Sequence, residues 1–363
     1  MKKIITFLLL CLFLGALVAL NKSGPHPQLL NHPIHHDDEF GGAYIDISME
    51  DFGKLGFKFG DSLDLDFITS GRHCTFTDIG YFSGYYVPAG QMLVVGYKGY
   101  PNIKFCINYG TDIYAESGFD TNTLCSIKVN AAGKYKEIEE TLSISYSDDR
   151  GQYESDEQFA NFRCVTVGSI QSNLLYRGAS PVDNSRNRAA IVDALLATNA
   201  IAYDIDLSDK EDAVAKGGKY LVGDTFEFLW DSKRVSFLGM GAAYKSEDFG
   251  NKMRQLCLDI IASDGPYYIH CLEGKDRTGF VCMVLEALCD ATYDEMIDDY
   301  FITYKNYYGI EKGSEKYAVI KKLHIDEMIA FVNGFEGGVN GYLLSIGLAQ
   351  NQIDSLKMKL CGK

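Results

Sequence analysis

A chain of 363 residues with 47% hydrophobic side chains can bury a large core, and its length suits two domains. Its 34 basic residues against 49 acidic ones leave a formal net charge of -15. That balance excludes a general basic surface for nucleic acid and disfavours docking on anionic lipid, but permits a local cationic site for a small phosphorylated ligand.

Met1-Lys2-Lys3 precedes an apolar run from Ile4 to Leu20, the pattern of a secretory signal peptide with cleavage after Ala19. If uncleaved, residues 4–20 are close to the length of a membrane anchor. The expectation for 1–20 is therefore export to a periplasmic or extracellular space, with membrane association only through an uncleaved anchor. Residues 21–42 carry Pro25, Pro27, Pro33 and the run His35-His36-Asp37-Asp38-Glu39 without hydrophobic period, and read as a flexible linker. The His-Asp run reads as solvated polar chain before it reads as a metal site.

From 43 to 158 the texture is β. Leu63 to Ile68 alternates apolar and acidic residues, and Tyr85 to Val87, Met92 to Tyr97 and Ile103 to Tyr109 are rich in β-branched and aromatic side chains. A small all-β barrel or sandwich is predicted, with an accessory part in substrate placement or partner binding, or pure packing, as its role.

A second domain is expected over 159–363. Asn187 to Asn199 has helical spacing (Ile191, Leu195, Leu196), Ala200 to Leu207 alternates as a strand, Val235 to Met240 reads as another strand, and Ser246 to Ser263 as a helix. Pro266 to Ile269 is a buried strand ending at His270, and Thr278 to Leu288 a helix. Strands alternating with helices argue α/β with a mostly parallel sheet flanked by helices, whose ligands bind beyond the carboxyl ends of the strands. Tyr293 to Tyr308 is helical, with its tyrosines expected in the core, and the tail to Lys363 reads as a helical cap.

Between the strand at 270 and the helix at 278 lies Cys271-Leu272-Glu273-Gly274-Lys275-Asp276-Arg277. A strand, a tight loop and a helix N-terminus bring backbone N–H groups and the helix dipole to one point, an oxyanion cradle. A thiol at the strand end lies in that positive field, which lowers its pKa, and Arg277 offers a planar fork matched to two phosphate oxygens. Gly274 lets backbone pass close to the anion.

The string His270-Cys271-x-x-Gly274-Lys275-Asp276-Arg277-Thr278-Gly279 resembles the protein tyrosine phosphatase superfamily, in the bacterial-type branch whose members act on phosphotyrosine and some on phosphoinositides. Asn161-Phe162-Arg163, Leu175-Tyr176-Arg177-Gly178-Ala179 and Asp298-Asp299-Tyr300 resemble other parts of that branch, so the likeness spans most of 160–310. Separately, Leu55 to Asp61 and Phe105 to Gly110 are similar to the β-barrel domain of adenosyl-transferring hydroxide enzymes.

The superfamily resemblance implies phosphate-monoester hydrolysis through a cysteinyl-phosphate, without metal or organic cofactor. Cys271 is then the nucleophile and Arg277 the phosphate clamp. Leu272, Glu273, Gly274, Lys275, Thr278 and Gly279 complete the phosphate-binding loop, with the Thr278 hydroxyl easing thiolate departure. His270 is expected to fix the loop through its ring. Asp276 is the first candidate for general acid, against a plain loop hydrogen bond to Lys275; Asp206 and Asp209 come next and Asp231 third. Glu273 is expected to repel additional phosphates, which favours phosphotyrosine peptides or simple aryl phosphates over phosphoinositides or inositol phosphates. Rivals from other classes are an exported non-catalytic phospho-ligand-binding module and a sulfur-transfer or arsenate-handling thiol.

Cys74, Cys106, Cys125, Cys164, Cys257, Cys282, Cys289 and Cys361 remain once Cys11 and Cys271 are set aside, an even number that permits disulfides without revealing a connectivity. Cys282 and Cys289 share a helix face and read as core thiols. No Cys-x-x-Cys pair points to zinc.

Overall fold

The computed structural model describes residues 26–38, 41–97 and 100–362. The export signal or anchor expected at 1–20 lies outside them. Among the described residues no helix is long and apolar enough to cross a membrane.

Eight strands build the first sheet: β1 (Gln28–Pro33), β2 (His35–His36), β3 (Ala43–Ile45), β4 (Ser62–Thr69), β5 (Arg72–Phe82), β6 (Met92–Val95), β7 (Ile103–Ile107) and β8 (Leu124–Ala131). Their order is β1-β8-β4-β5-β6-β7-β3-β2, antiparallel except for β5 against β6. Only Ile34 separates β1 from β2, so both edges of the sheet belong to one extended segment. The period of two in β4 sends Leu63, Leu65 and Phe67 into a core with Phe105 and Ile127, while Asp64 and Asp66 stay on the other face. Each such buried side chain contributes roughly 1.5–3 kcal/mol.

Two expectations need correction here. The span 21–42 is not linker throughout, because 28–36 pairs with β8 and β3 and Ile34 N donates to Thr123 O at 3.3 Å. Its prolines read as breakers, yet Pro33 closes an edge strand, where a missing N–H is tolerated. Nor is 43–158 all β: Met49–Lys54, Ile113–Glu116, Lys136–Leu142 and Asp156–Ala160 are helical, three of them capped by the side chains of Ser48, Asp112 and Ser155. Tyr85 to Val87 is loop rather than strand. In the former linker, the His36 ring is held by Asp112 and Asp38, both at 2.6 Å.

The second sheet has β9 (Arg163–Cys164), β10 (Leu175–Gly178), β11 (Tyr203–Asp206), β12 (Val235–Phe237) and β13 (Tyr267–His270), in the order β12-β11-β13-β10-β9. All neighbours run parallel except β9. Gly178, Asp206 and His270 are register partners, so three strands end at one level. The helix Asp276–Leu288 leaves from that level and is buried along nearly its whole length. It begins two residues before the predicted Thr278, which brings Asp276 and Arg277 into its first turn. The helix Tyr293–Tyr308 packs beside it, opened by a Thr292/Glu295 capping box and closed by Gly309 at φ +64°. Four further helices, Glu315–Leu323, Ile325–Asn333, Val339–Ser345 and Gln350–Cys361, send Ile320, Ile325, Leu343 and Leu356 into the same core. The chain is thus a mixed α/β protein. All nine described cysteines are free thiols.

The two parts touch. Tyr86 and Ala89 of the β-rich part pack against the larger core, and Lys245 Nζ donates to Ala89 O at 3.2 Å.

Candidate active site

The loop after β13 is held from outside by its carbonyls. Leu272 O accepts from Ser180 N at 3.2 Å, Glu273 O from Tyr307 Oη at 2.9 Å and Asn161 Nδ2 at 3.2 Å, and Gly274 O from Arg177 Nη2 at 3.0 Å. Among the described residues, none of the backbone N–H groups from Leu272 to Arg277 donates to a protein acceptor. Carbonyls tied outward and N–H groups left inward make the concave donor set that binds a tetrahedral anion. Gly274 is required twice over. Its φ is +67°, and a β-carbon there would stand 2.3 Å from Gly178 O.

Cys271 lies at the bottom of this loop, 4% exposed. Burial alone would raise its pKa. The Arg277 charge, the Thr278 hydroxyl and the Thr278 N–H outweigh burial and bring the thiol below its ordinary value. The Thr278 hydroxyl is buried and has no other partner among the described residues. Arg277 is itself aimed by Nη1 donating to Met240 O at 3.0 Å.

His270 is placed differently from expectation. Its ring does not fix the loop; Nε2 meets Asp204 Oδ1 on β11 at 3.0 Å, with both side chains fully buried. Burial lowers its pKa, but Asp204, Asp206 and Asp209 outweigh that and lift it to about 9. Burial raises Asp204 as well, so the pair holds a proton tightly.

Asp276 lines the cleft above Cys271, 3.9 Å from Lys275 Nζ at its carboxylate. Asp206 and Asp209 do not line it. Both are buried: Asp206 Oδ1 accepts from Ser208 N and Asp209 N, each at 2.9 Å, and Asp209 accepts from Tyr220 Oη at 2.9 Å. Burial and then the Asp206 charge push the Asp209 pKa up. Asp231, at the end of the helix Asp224–Asp231, is also outside the lining.

Glu273 is not a free repelling charge. It accepts from Tyr146 Oη, pairs with Lys275 Nζ at 3.0 Å and lies 4.0 Å from Arg186. Burial opposes its charge, yet these partners hold its pKa down at about 2. Lys275 also donates to Tyr308 Oη at 3.3 Å.

The cleft, about 890 Å³, has walls rich in tyrosine: Tyr146, Tyr304 and Tyr308 on one side, Tyr85, Tyr97 and Tyr109 from the β-rich part on the other. The Tyr293–Tyr308 tyrosines expected in the core are therefore divided. Tyr300 is core, Tyr307 holds the loop, and Tyr304 and Tyr308 face the cleft.

Behind the loop lies a buried charge cluster absent from the sequence-based site. Asp299 receives Arg163 Nε at 2.9 Å and Arg177 Nη1 at 2.6 Å, while Asn161 Oδ1 receives Arg163 Nη1 at 2.9 Å. Arg163 and Arg177 hold Asp299 well below the usual carboxylate range against burial; buried Glu286 beside it is pushed well above. The signal was present in Asn161-Phe162-Arg163, Arg177 and Asp299, but a separation of more than a hundred residues hid their meeting.

The family described as "Tyrosine phosphatase family" matches residues 158–362. A tyrosine-protein phosphatase of Nostoc commune is 24% identical over 204 residues, covering 46% of this chain and 68% of that protein. Among solved structures, the core catalytic domain of the PP-IP phosphatase SIW14 from S. cerevisiae gives a TM-score of 0.29 at 18% identity, covering 48% of this chain and 91% of that one. TpbA of P. aeruginosa gives a TM-score of 0.27 at 19% identity, covering 50% and 92%.

Proposed function

The chain belongs to the tyrosine phosphatase family and is a cysteine-dependent phosphatase, and from that premise we propose that it hydrolyses phosphotyrosine peptides or simple aryl phosphates. The Cys271 thiolate attacks phosphorus in line, forming the S–P bond as the ester P–O bond breaks. Asp276 gives its proton to the departing oxygen. Water then attacks phosphorus, Asp276 takes the water's proton, the S–P bond breaks, and phosphate leaves with the thiolate restored and stabilised by Thr278. Arg277 and the inward N–H groups hold the equatorial oxygens through both steps.

The observation that carries the substrate reading is the cleft itself, walled by tyrosines and closed at the bottom by Cys271. Tyrosine faces suit an aryl ring. The cleft cations other than Arg277 are already engaged, Lys275 by Glu273 and Arg186 by Asp148 at 3.2 Å, which leaves little for the several phosphates of an inositol substrate. The β-rich part is read as a small barrel that lends one wall.

The test is phosphate release from a phosphotyrosine peptide against a panel of phosphoinositides and inositol phosphates, each with a Cys271→Ser control. The peptide should be preferred and the control silent while still binding phosphate. Preference for inositol phosphates would overturn the substrate reading, and appreciable turnover by Cys271→Ser would overturn the covalent route.

A further inference from the structure

Of the cleft side chains that come from the β-rich part, Tyr109 stands out. Tyr109 follows β7 on a tight turn, with φ at +46°. A bulky residue in the left-handed region is an outlier, costing on the order of 1–3 kcal/mol, and persists only where the surroundings impose it. Here they do. Asn108 N donates to Gln91 O at 2.8 Å, Asn108 O accepts from Gly90 N at 2.7 Å, and Asn108 Nδ2 donates to Val87 O at 2.5 Å.

That conformation sends the ring towards the catalytic part. Its centroid is 6.4 Å from that of Tyr244, which stacks on Phe280 at 4.7 Å. Phe280 is one turn beyond Asp276 on the same helix face, so the chain of rings leads to the proposed acid. Tyr109 and Asp276 line the same cleft, together with Lys275 and Arg277. Tyr146, Tyr304 and Tyr308 around that cleft each have a hydroxyl partner. The Tyr109 hydroxyl has none among the described residues. The Asp276 charge, ahead of burial, raises the Tyr109 pKa well above its ordinary value, so the phenol keeps its proton and can only donate to an anion.

We propose that Tyr109 is a substrate-contacting residue of the phosphatase reaction, its hydroxyl donating to the ester oxygen that Asp276 protonates. The β-rich part then completes the active site. The inference rests on the phosphatase reading and on Asp276 as acid. The strain at Tyr109 has a use in this arrangement, since its left-handed turn accompanies the approach of the phenol to Tyr244 in the other part of the molecule.

The experiment compares wild type, Tyr109→Phe and Tyr109→Asn on phenyl phosphate and on p-nitrophenyl phosphate, with melting curves for each. Phenoxide is a poor leaving group that needs help; p-nitrophenoxide leaves readily. Tyr109→Phe should lower kcat/KM on phenyl phosphate about tenfold, the worth of one hydrogen bond to developing charge, and on p-nitrophenyl phosphate less than about twofold. Asparagine accepts a positive φ, so Tyr109→Asn should melt no lower than wild type yet lose at least as much on phenyl phosphate. This separates contact with substrate from support of the fold. Equal losses on both substrates, or no loss in either variant, would overturn the proposal while wild type remains active. A wild type silent on every substrate would overturn the phosphatase reading and this inference with it.

Discussion

Replacing Asp299 with alanine removes a carboxylate bonded to two buried guanidiniums. It accepts from Arg177 Nη1 at 2.6 Å and from Arg163 Nε and Nη2 at 2.9 and 3.3 Å, and its side chain is 4% exposed against 1% and 10% for the arginines. Breaking one buried pair costs about 3–5 kcal/mol, and two stranded cations argue for the upper end. Glu286 changes that figure. It is kept neutral by burial first and by the Asp299 charge second, while Arg177 pulls the other way. With Asp299 gone, Glu286 can ionise and stand in as partner. We therefore expect Asp299→Ala to cost about 3 kcal/mol, Glu286→Gln alone under about 1, and the double variant about 6, a coupling of about 2. Urea unfolding of the four proteins at neutral pH measures this. Phosphate release at low urea should fall about a hundredfold in Asp299→Ala, because Arg177 no longer fixes Gly274 O and a shift near 1 Å in the loop has that effect. Additivity within about 0.5 kcal/mol would refute the takeover by Glu286. Wild-type stability in Asp299→Ala would refute the charge argument altogether.

Gly274→Ala should fold yet lose phosphate affinity, since the new methyl group meets Gly178 O; an unchanged inhibition constant for inorganic phosphate would mean the loop can yield. Arg277→Lys keeps the charge but loses the planar fork, and should lower kcat about 100- to 1000-fold; a loss below about tenfold would point to another group on the phosphate. The raised pKa of His270 makes its contribution to stability fully present below about pH 6.5 and lost as pH rises through about 9. The melting temperature should fall across that window, with a flatter slope in Asp204→Asn; equal slopes would place the titration elsewhere. Glu273 has the opposite sign: its contribution is present above its ordinary pKa and is lost as pH falls towards about 2, so Glu273→Gln should flatten the acid limb of stability.

The strand, loop and helix across 267–288 were legible because their parts are contiguous and set by local chemistry, although the partners of His270 and Glu273 were not. A thiol at a strand end, a glycine where backbone passes close to an anion and an arginine closing a loop ahead of a helix can be read without knowing the rest of the fold. The strand–helix alternation of 187–308 was legible for the same reason, since its periods are local. Tertiary pairing was not. The segment 28–36 gains its strand structure from β8 and β3, far along the chain, and Asn161, Arg163, Arg177 and Asp299 acquire their role only when β9, β10 and the helix Tyr293–Tyr308 converge. Asp206 and Asp209 looked like candidates for an acid because they follow a strand of the catalytic sheet. The same turn that places them there folds their oxygens onto Ser208 N and Tyr220 Oη.

Glu273 shows how a charge read alone misleads and a charge read with its partners informs. As an isolated anion in a phosphate loop it is expected to repel additional phosphates. In the fold it takes up Lys275 and the Tyr146 hydroxyl with Arg186 near, so the loop's second cation, although it lines the cleft, is already paired. Arg277 is then the cation directed at the anion, with the backbone N–H groups beside it. One guanidinium and a ring of N–H donors match one phosphate dianion. On the proposed reading, the tyrosine walls match the aryl ring that carries it. An acidic chain can hold such a site because the attraction acts over a few ångströms inside a buried loop, where the surface charge is screened and these donors are not.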